Sequence, residues 1–475
     1  MSRTQTKAFL YFIALILFVI ALRIVLMTSI PLLDTTEARY GELARVTATG
    51  NYWLMPHMSA DQPFFAKPPL ATWFAASSWL AFGHNEFALR LPSLLMVLLS
   101  SLALLYGAQS LKLTRQQWLF ATFVMLTAPI GFISAGAVMT DATQLAVVTW
   151  AMVLLWRLQT SATPLKSDQY GLWIVLGIGA IAKGLATWVL IGLPVLLFWV
   201  CSSREVIYSH IKKIWFWPGI LLFIGLVLAW YIPAEIYYPG FLKYFIVGEH
   251  FQRFLEPGWK GDMYGTAHRQ AIGMIWLYWA ASIAIWLPLF VYSMVKDKPL
   301  INTKLDAETK WLWACVLAPL LFFTLSRNII WTYTLTALPA FALLTAKFWS
   351  TIGHRFKRVM QVLIAAWLIL ATFASLVWIP QQTETRSVRK LVQTAHSQHP
   401  SLPLYAYSSD QFSLSYYTSG QIQLIEDYAA VTNLLQQPDT LLIANAKLAP
   451  QLTANGQAVI IANNNYHVLL MTKHK

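Results

Sequence analysis

The stretch AFLYFIALILFVIALRIVLMTSI at residues 8–30, followed at once by PLLDTTEARY at 31–40, decides how the rest of the chain is read. About twenty mostly apolar residues in one run are what a helix needs to cross the hydrocarbon of a bilayer. Arg3 and Lys7 precede the run, as they would in a secretory signal. The run is longer than a signal's apolar core, however, and Ile30-Pro31-Leu32 offers no small-residue cleavage site. A retained first span is expected, with two acids and an arginine waiting at its far end.

Outward from this stretch the pattern repeats. Apolar runs recur near 91–111, 117–136, 142–158, 170–182, 184–201, 214–234, 271–295, 311–326, 329–349 and 359–379. With the first run these predict eleven spans, or up to thirteen if the two short neighbours at Lys183-Gly184 are tilted helices among further short ones. Composition agrees. Charged residues make up 11% of the 475 and hydrophobic ones 57%, with a mean hydropathy of +0.54, whereas soluble domains carry roughly 25% charge. The 22 Trp and 20 Tyr suit aromatic belts at both membrane surfaces. A net charge of +14 would point to nucleic acid in a soluble protein, but here Lys and Arg sit in short clusters between apolar runs, so no nucleic-acid partner is expected. Cys201 and Cys315 both fall at cytoplasmic ends of predicted spans, which excludes a disulfide framework and any cysteine metal spacing.

The basic clusters set the orientation. With a cytoplasmic N-terminus, alternate loops carry Arg3 and Lys7; Lys112 and Arg115; Arg157 and Lys166; Arg204, Lys212 and Lys213; Lys296, Lys298, Lys304 and Lys310; and Lys347, Arg355, Lys357 and Arg358. All these loops share one side, as positive-inside topology requires. The other, external side receives 31–90, 235–270 and 380–475. A membrane unit over 1–379 and a small α/β external domain over 380–475 are expected. Runs such as Pro403–Tyr407 and Thr440–Ala444 read as strands and argue against a disordered tail. In the first loop, Glu37–Thr49 and Leu70–Phe82 have helical spacing and suit helices lying at the membrane surface.

Ionisable residues near a bilayer are costly, so they mark where chemistry could be. Asp34, Glu37 and Arg39 with Tyr40 stand at the mouth of the bundle, where a carboxylate could take a proton from an acceptor hydroxyl. A helix N-cap by Asp34 or Thr35 reads the same spacing equally well. Lys67 lies between aromatics and prolines and could bind an anion or snorkel to water. Asp141 could be an acid or an N-cap. Glu249, His250 and Arg253 close the second external loop, followed by His268; Arg253 could grip a phosphate in bidentate fashion, and His250 could ligate a metal or simply lie at the interface. Arg327 and Tyr333 flank an external junction and read either as donors or as a belt. Together Lys67, Arg253, Arg327 and Tyr333 are donors on one surface, which favours a phosphate-bearing lipid.

In order and spacing, Asp34-x-Thr-Glu-Ala-Arg-Tyr40, Phe65-Ala-Lys67-Pro68, Thr140-Asp141, Lys183-Gly184, Glu249-His250-x-x-Arg253-Phe254 and Ser326-Arg327 through Tyr333 resemble the bacterial polyprenyl-phosphate-sugar glycosyltransferases of the GT-C type. These are related to protein O-mannosyltransferases and include the 4-amino-4-deoxy-L-arabinose lipid A transferases. The resemblance implies an undecaprenyl-phosphate-sugar donor whose phosphate is held by residues matching Lys67, Arg253 and Tyr333. It also implies an acid matching Asp34 or Glu37 as base, and inversion at the anomeric carbon. Two positions depart from the arabinose-transferase pattern: Thr36 precedes Glu37 where an aspartate is usual, and Ala66 replaces a glutamate that helps hold a metal. A divalent metal is therefore not required by this sequence. The expectation is a monomeric enzyme of the bacterial inner membrane, its site facing the periplasm, acting on lipid A, another envelope glycan or a protein. A transporter or flippase is the rival from another class. It would place ionisable residues at mid-bilayer within internal repeats, and no convincing repeat is present.

Overall fold

A computed structural model describes residues 3–298, 302, 304–349, 351–409 and 411–473. The apolar runs are helices, because a chain in hydrocarbon must satisfy its own N–H and C=O groups. Among the described residues, four are long and apolar enough to cross a membrane: Phe9–Ser29, Glu86–Tyr106, Trp217–Tyr237 and His354–Glu384. A fifth joins them if Met274–Ser282 and Ala284–Asp297, bent by 86°, count as one span. The helix Trp217–Tyr237 turns Leu221, Ile224, Leu228, Ile232 and Ile236 outward, an apolar face suited to lipid.

The other expected spans are shorter, broken or more polar. Run 117–136 divides into Arg115–Thr127 and Pro129–Ser134, since Pro129 has no N–H to continue the helix. Run 329–349 starts as a tight 3-10 segment, Trp331–Ala337, before the α-helix Leu338–Trp349. The two short runs at 170–182 and 184–201 are separate helices, Lys166–Lys183 and Leu185–Val200. The helix Asp141–Thr160 is buried on nearly all sides, which lets it carry Thr, Gln and Asp where a lipid-facing helix could not.

In the first loop, the helices Thr36–Thr49 and Leu70–Phe82 form as expected, joined through a short hairpin of β1 (His57–Ser59) and β2 (Gln62–Pro63). They bury Ala38, Ala44, Ala75, Ala76 and Trp79 in one cluster.

The last long helix runs past Pro380 to Glu384. A π turn over Ala374–Trp378 restarts it at Ile379, and Pro380 then takes a first-turn position where its missing N–H costs little. Beyond it lie β3 (Leu404–Tyr407), β4 (Gln423–Ile425), β5 (Leu441–Asn445), β6 (Ala458–Asn463) and β7 (His467–Thr472). The sheet order is β4-β3-β5-β7-β6. Strand β3 is parallel to β4 and β5, and β7 is antiparallel to β5 and β6. The four residues Leu441–Ala444 at the start of β5 are buried, as a central strand covered on both faces should be.

Candidate active site

A glycine creates the site. Gly184 breaks the chain between two helices at φ 67° and ψ −145°, a conformation open almost only to glycine. A Cβ there would stand 2.7 Å from Phe245 Cζ and 3.1 Å from His250 Cε1. The missing side chain lets the segment Lys243–Gln252 approach, and that segment is itself wound as a π-helix, a form frequent at functional sites. Lys183 is left at the end of its helix, 8% exposed, with Nζ 2.8 Å from Asp141 Oδ1 and 5.3 Å from the centre of the Tyr333 ring.

Two cavities meet here. One, of about 800 Å³, has walls of Trp188, Val189, Phe322, Phe323 and Leu255. The other, of about 260 Å³, is polar, walled by Thr35, Thr36, Arg39, Tyr40, Thr140, Asp141, Asp262 and His268. Lys67, Lys183, Arg253 and Tyr333 line both. Across the pair, four cations (Arg39, Lys67, Lys183, Arg253) face three acids (Asp141, Glu249, Asp262), leaving one positive charge in excess.

Glu249 organises the junction. It accepts from Lys67 Nζ at 2.7 Å, from Arg253 Nη1 at 3.0 Å and from the Tyr244 hydroxyl at 3.3 Å. Arg253 also donates to Asp262 at 3.1 Å and to the Thr266 carbonyl, while its Nε is buried without a partner. Burial alone would raise the Glu249 carboxyl, but the Lys67 and Arg253 cations outweigh it and hold the group below the usual range. Burial pulls the Lys67 ammonium down, with Glu249 opposing. Arg253 is pushed up: burial works against its charge, and Glu249 overcomes it.

The structure separates the residues that the sequence grouped. Lys67, Arg253, Tyr333, Arg39, Tyr40, Glu249, His250, His268 and Asp141 all reach one or both cavities. Arg327 does not: its carbonyl accepts from Gln270 N, and its Nε is buried elsewhere. Glu37 binds Arg90 through both oxygens, at 2.8 and 2.7 Å, and Arg90 also donates to the carbonyls of Met27, Ile30 and Pro31. Asp34 accepts the backbone N–H groups of Phe412 and Ser413, at 3.0 and 2.7 Å. Neither Asp34 nor Glu37 lines either cavity. Asp262 is absent from the sequence reading, and Lys183, quoted there within the Lys183-Gly184 motif, was given no site role, although an ionisable residue at the end of an apolar run was the signal for one.

A metal does not fit these residues. His250 Nδ1 faces the Phe245 carbonyl at 2.7 Å and Nε2 faces that of Lys183 at 3.3 Å, so both ring nitrogens point at backbone oxygens. Ala66 adds no ligand. Among the described residues no group of three His, Cys, Asp or Glu could hold an ion.

Residues 66–232 match the family described as dolichyl-phosphate-mannose-protein mannosyltransferase. An undecaprenyl phosphate-alpha-4-amino-4-deoxy-L-arabinose arabinosyl transferase of Proteus mirabilis is 28% identical over 339 residues, which cover 68% of this chain and 56% of that protein. One from Sodalis glossinidius is 29% identical over 337 residues, covering 69% and 57%. The matched stretch thus spans little more than half of each relative. Among solved structures, ArnT from Cupriavidus metallidurans bound to undecaprenyl phosphate superimposes over 97% of both chains with a TM-score of 0.79 at 15% identity. The chain is therefore a multi-pass membrane protein with the fold of that ArnT structure, and its residues 66–232 are similar to the dolichyl-phosphate-mannose-protein mannosyltransferases.

Proposed function

We propose that this protein is a glycosyltransferase that moves a sugar from an undecaprenyl-phosphate-linked donor to a periplasm-facing acceptor, lipid A or a related envelope lipid. The observation that carries the reading is the meeting of an apolar and a polar cavity at Lys67, Lys183, Arg253 and Tyr333. A prenyl chain suits the apolar cavity, its phosphate the cationic junction and the acceptor the polar cavity. The arabinosyl-transferase names of the relatives, and the undecaprenyl phosphate bound by the solved neighbour, support the donor class.

Buried ion pairs add little to stability and often cost it, so a cluster of three acids and four cations with Asp141, Lys183 and Glu249 buried is better explained by a ligand. An acceptor hydroxyl attacks the anomeric carbon and gives its proton to a carboxylate. The bond from that carbon to the phosphate oxygen breaks, and the electron pair leaves with the prenyl phosphate. Cations fixed at the junction stabilise the charge that grows there. Asp141 acts as the base: although paired with Lys183, it lines the polar cavity, whereas Asp34 and Glu37 do not. Glu249 positions Lys67 and Arg253. The protein acts as a monomer in the inner membrane with this site on the periplasmic side.

In proteoliposomes given a radiolabelled undecaprenyl-phosphate 4-amino-4-deoxy-L-arabinose donor and lipid A, Lys67→Ala and Arg253→Ala should abolish transfer while the protein still inserts. Wild-type rates in both variants would overturn the phosphate junction.

A further inference from the structure

The polar cavity is not built by the membrane unit alone. Phe412, from the sheet-bearing C-terminal part, stands in its wall with Thr35, Arg39 and Tyr40 of the first loop. Phe412 is the second residue of the short helix Gln411–Tyr417, which lies on the helix Thr36–Thr49 and shares an apolar cluster with Tyr40, Ala44 and Trp53. Polar contacts hold it in place. Both oxygens of Asp34 accept the N–H groups of Phe412 and Ser413. The Tyr417 hydroxyl accepts from Leu32 N at 2.7 Å and donates to Glu86 at 2.9 Å. Arg389 then joins Glu86, at 3.0 Å, to Glu384, at 2.6 Å. The approach is close: Gly420, at φ 80°, would put a Cβ 2.8 Å from Arg45 Nη2.

We infer that the C-terminal part is a working wall of the acceptor site: Asp34 latches the helix Gln411–Tyr417 to the first loop, and Phe412 thereby sets which acceptor the polar cavity admits. The physical reason lies in where Asp34 stands. It is two residues from the start of the helix Thr36–Thr49, which supplies Arg39 and Tyr40 to the cavity, so one carboxylate fixes both walls in register. Asp34 is thus a positioning residue and Phe412 a specificity residue. The inference rests on the proposed transfer for its substrate but not for the latch.

The test uses the full chain in proteoliposomes with lipid A as acceptor and the donor named above. Phe412→Ala should raise the acceptor KM about tenfold, equivalent to ~1.4 kcal/mol of lost contact, with kcat and the donor KM near wild type. Asp34→Asn should raise the acceptor KM likewise and also speed amide exchange at Phe412 and Ser413, which Phe412→Ala should leave protected. The double variant should be no worse than the more affected single one. Wild-type kinetics in Phe412→Ala would overturn the wall, and loss of kcat at unchanged acceptor KM in Asp34→Asn would overturn the latch. If Asp34→Asn fails to insert, Phe412→Ala still decides the wall. If the wild-type protein transfers nothing, the proposed function falls alone; fast exchange of the Phe412 and Ser413 amides in that same protein would overturn the latch.

Discussion

Asp34, Glu37 and Asp141 lie within reach of one external surface, yet each has a separate duty. Glu37 neutralises the fully buried Arg90, and its loss would strand a charge inside the protein. Removing one partner of a buried pair costs about 3–5 kcal/mol. Glu37→Gln should therefore lower the yield of folded protein and its melting temperature in detergent, while each folded molecule stays active. Asp141→Asn strands the buried Lys183 in the same way, so it should also lower the melting temperature, but each folded molecule should in addition turn over roughly 10²–10⁴-fold more slowly, the usual worth of a general base; a Glu37→Gln protein that folds with no turnover would reverse the assignment. His250 offers a pH test. Burial lowers its pKa below the ordinary value of 6.5, so the unfolded chain binds more protons just below that pH. Its neutral form supports the fold fully above about 6.5, and that support is lost as pH falls. Thermal melts across that range should lose stability toward acid, and His250→Gln should remove part of that loss, the rest belonging to His57, His210 and His268, which burial also lowers. None of these partnerships was legible from spacing, because Arg90 is 53 positions from Glu37 and Phe412 is 378 from Asp34.

At the scale of elements, the apolar runs were readable and their breaks were not. Length and hydropathy locate a helix, since any apolar segment in lipid must close its own hydrogen bonds. Where the helix stops depends on what packs against it. The pair Lys183-Gly184 looked like a polar gap between two short spans. It proves to be the point at which a π-wound segment presses on the backbone and brings Glu249, His250 and Arg253 to Lys183. Gly184→Ala should strain the backbone by about 1–3 kcal/mol and push this segment away. The expected result is a protein that inserts with a modestly lower melting temperature but binds undecaprenyl phosphate much more weakly in a tryptophan-quenching titration. Unchanged affinity would mean that the close approach at Gly184 does not shape the junction. The strands at 404–407 and 441–445 were legible from their apolar patterning, but the π turn at Ala374–Trp378 left no trace in composition.

At the scale of the whole molecule, composition sets class, and charge clustering predicts an orientation. Cys201 makes the orientation testable, because it is exposed at the end of Leu185–Val200, whereas Cys315 is buried. A membrane-impermeant maleimide should label Cys201 in inside-out vesicles and not in intact spheroplasts; the reverse pattern would invert the topology. By itself the sequence determined that the chain lives in a membrane, where its helices run and that it carries an α/β part, because hydropathy acts over short windows and needs no partner. Only the tertiary structure decided which acids serve the cavity, that Arg327 stands outside it, and that Lys183 and the distant Phe412 stand within it. Those outcomes depend on pairings between residues far apart in the chain, and a charge buried in low dielectric takes its character from the partner folding brings to it.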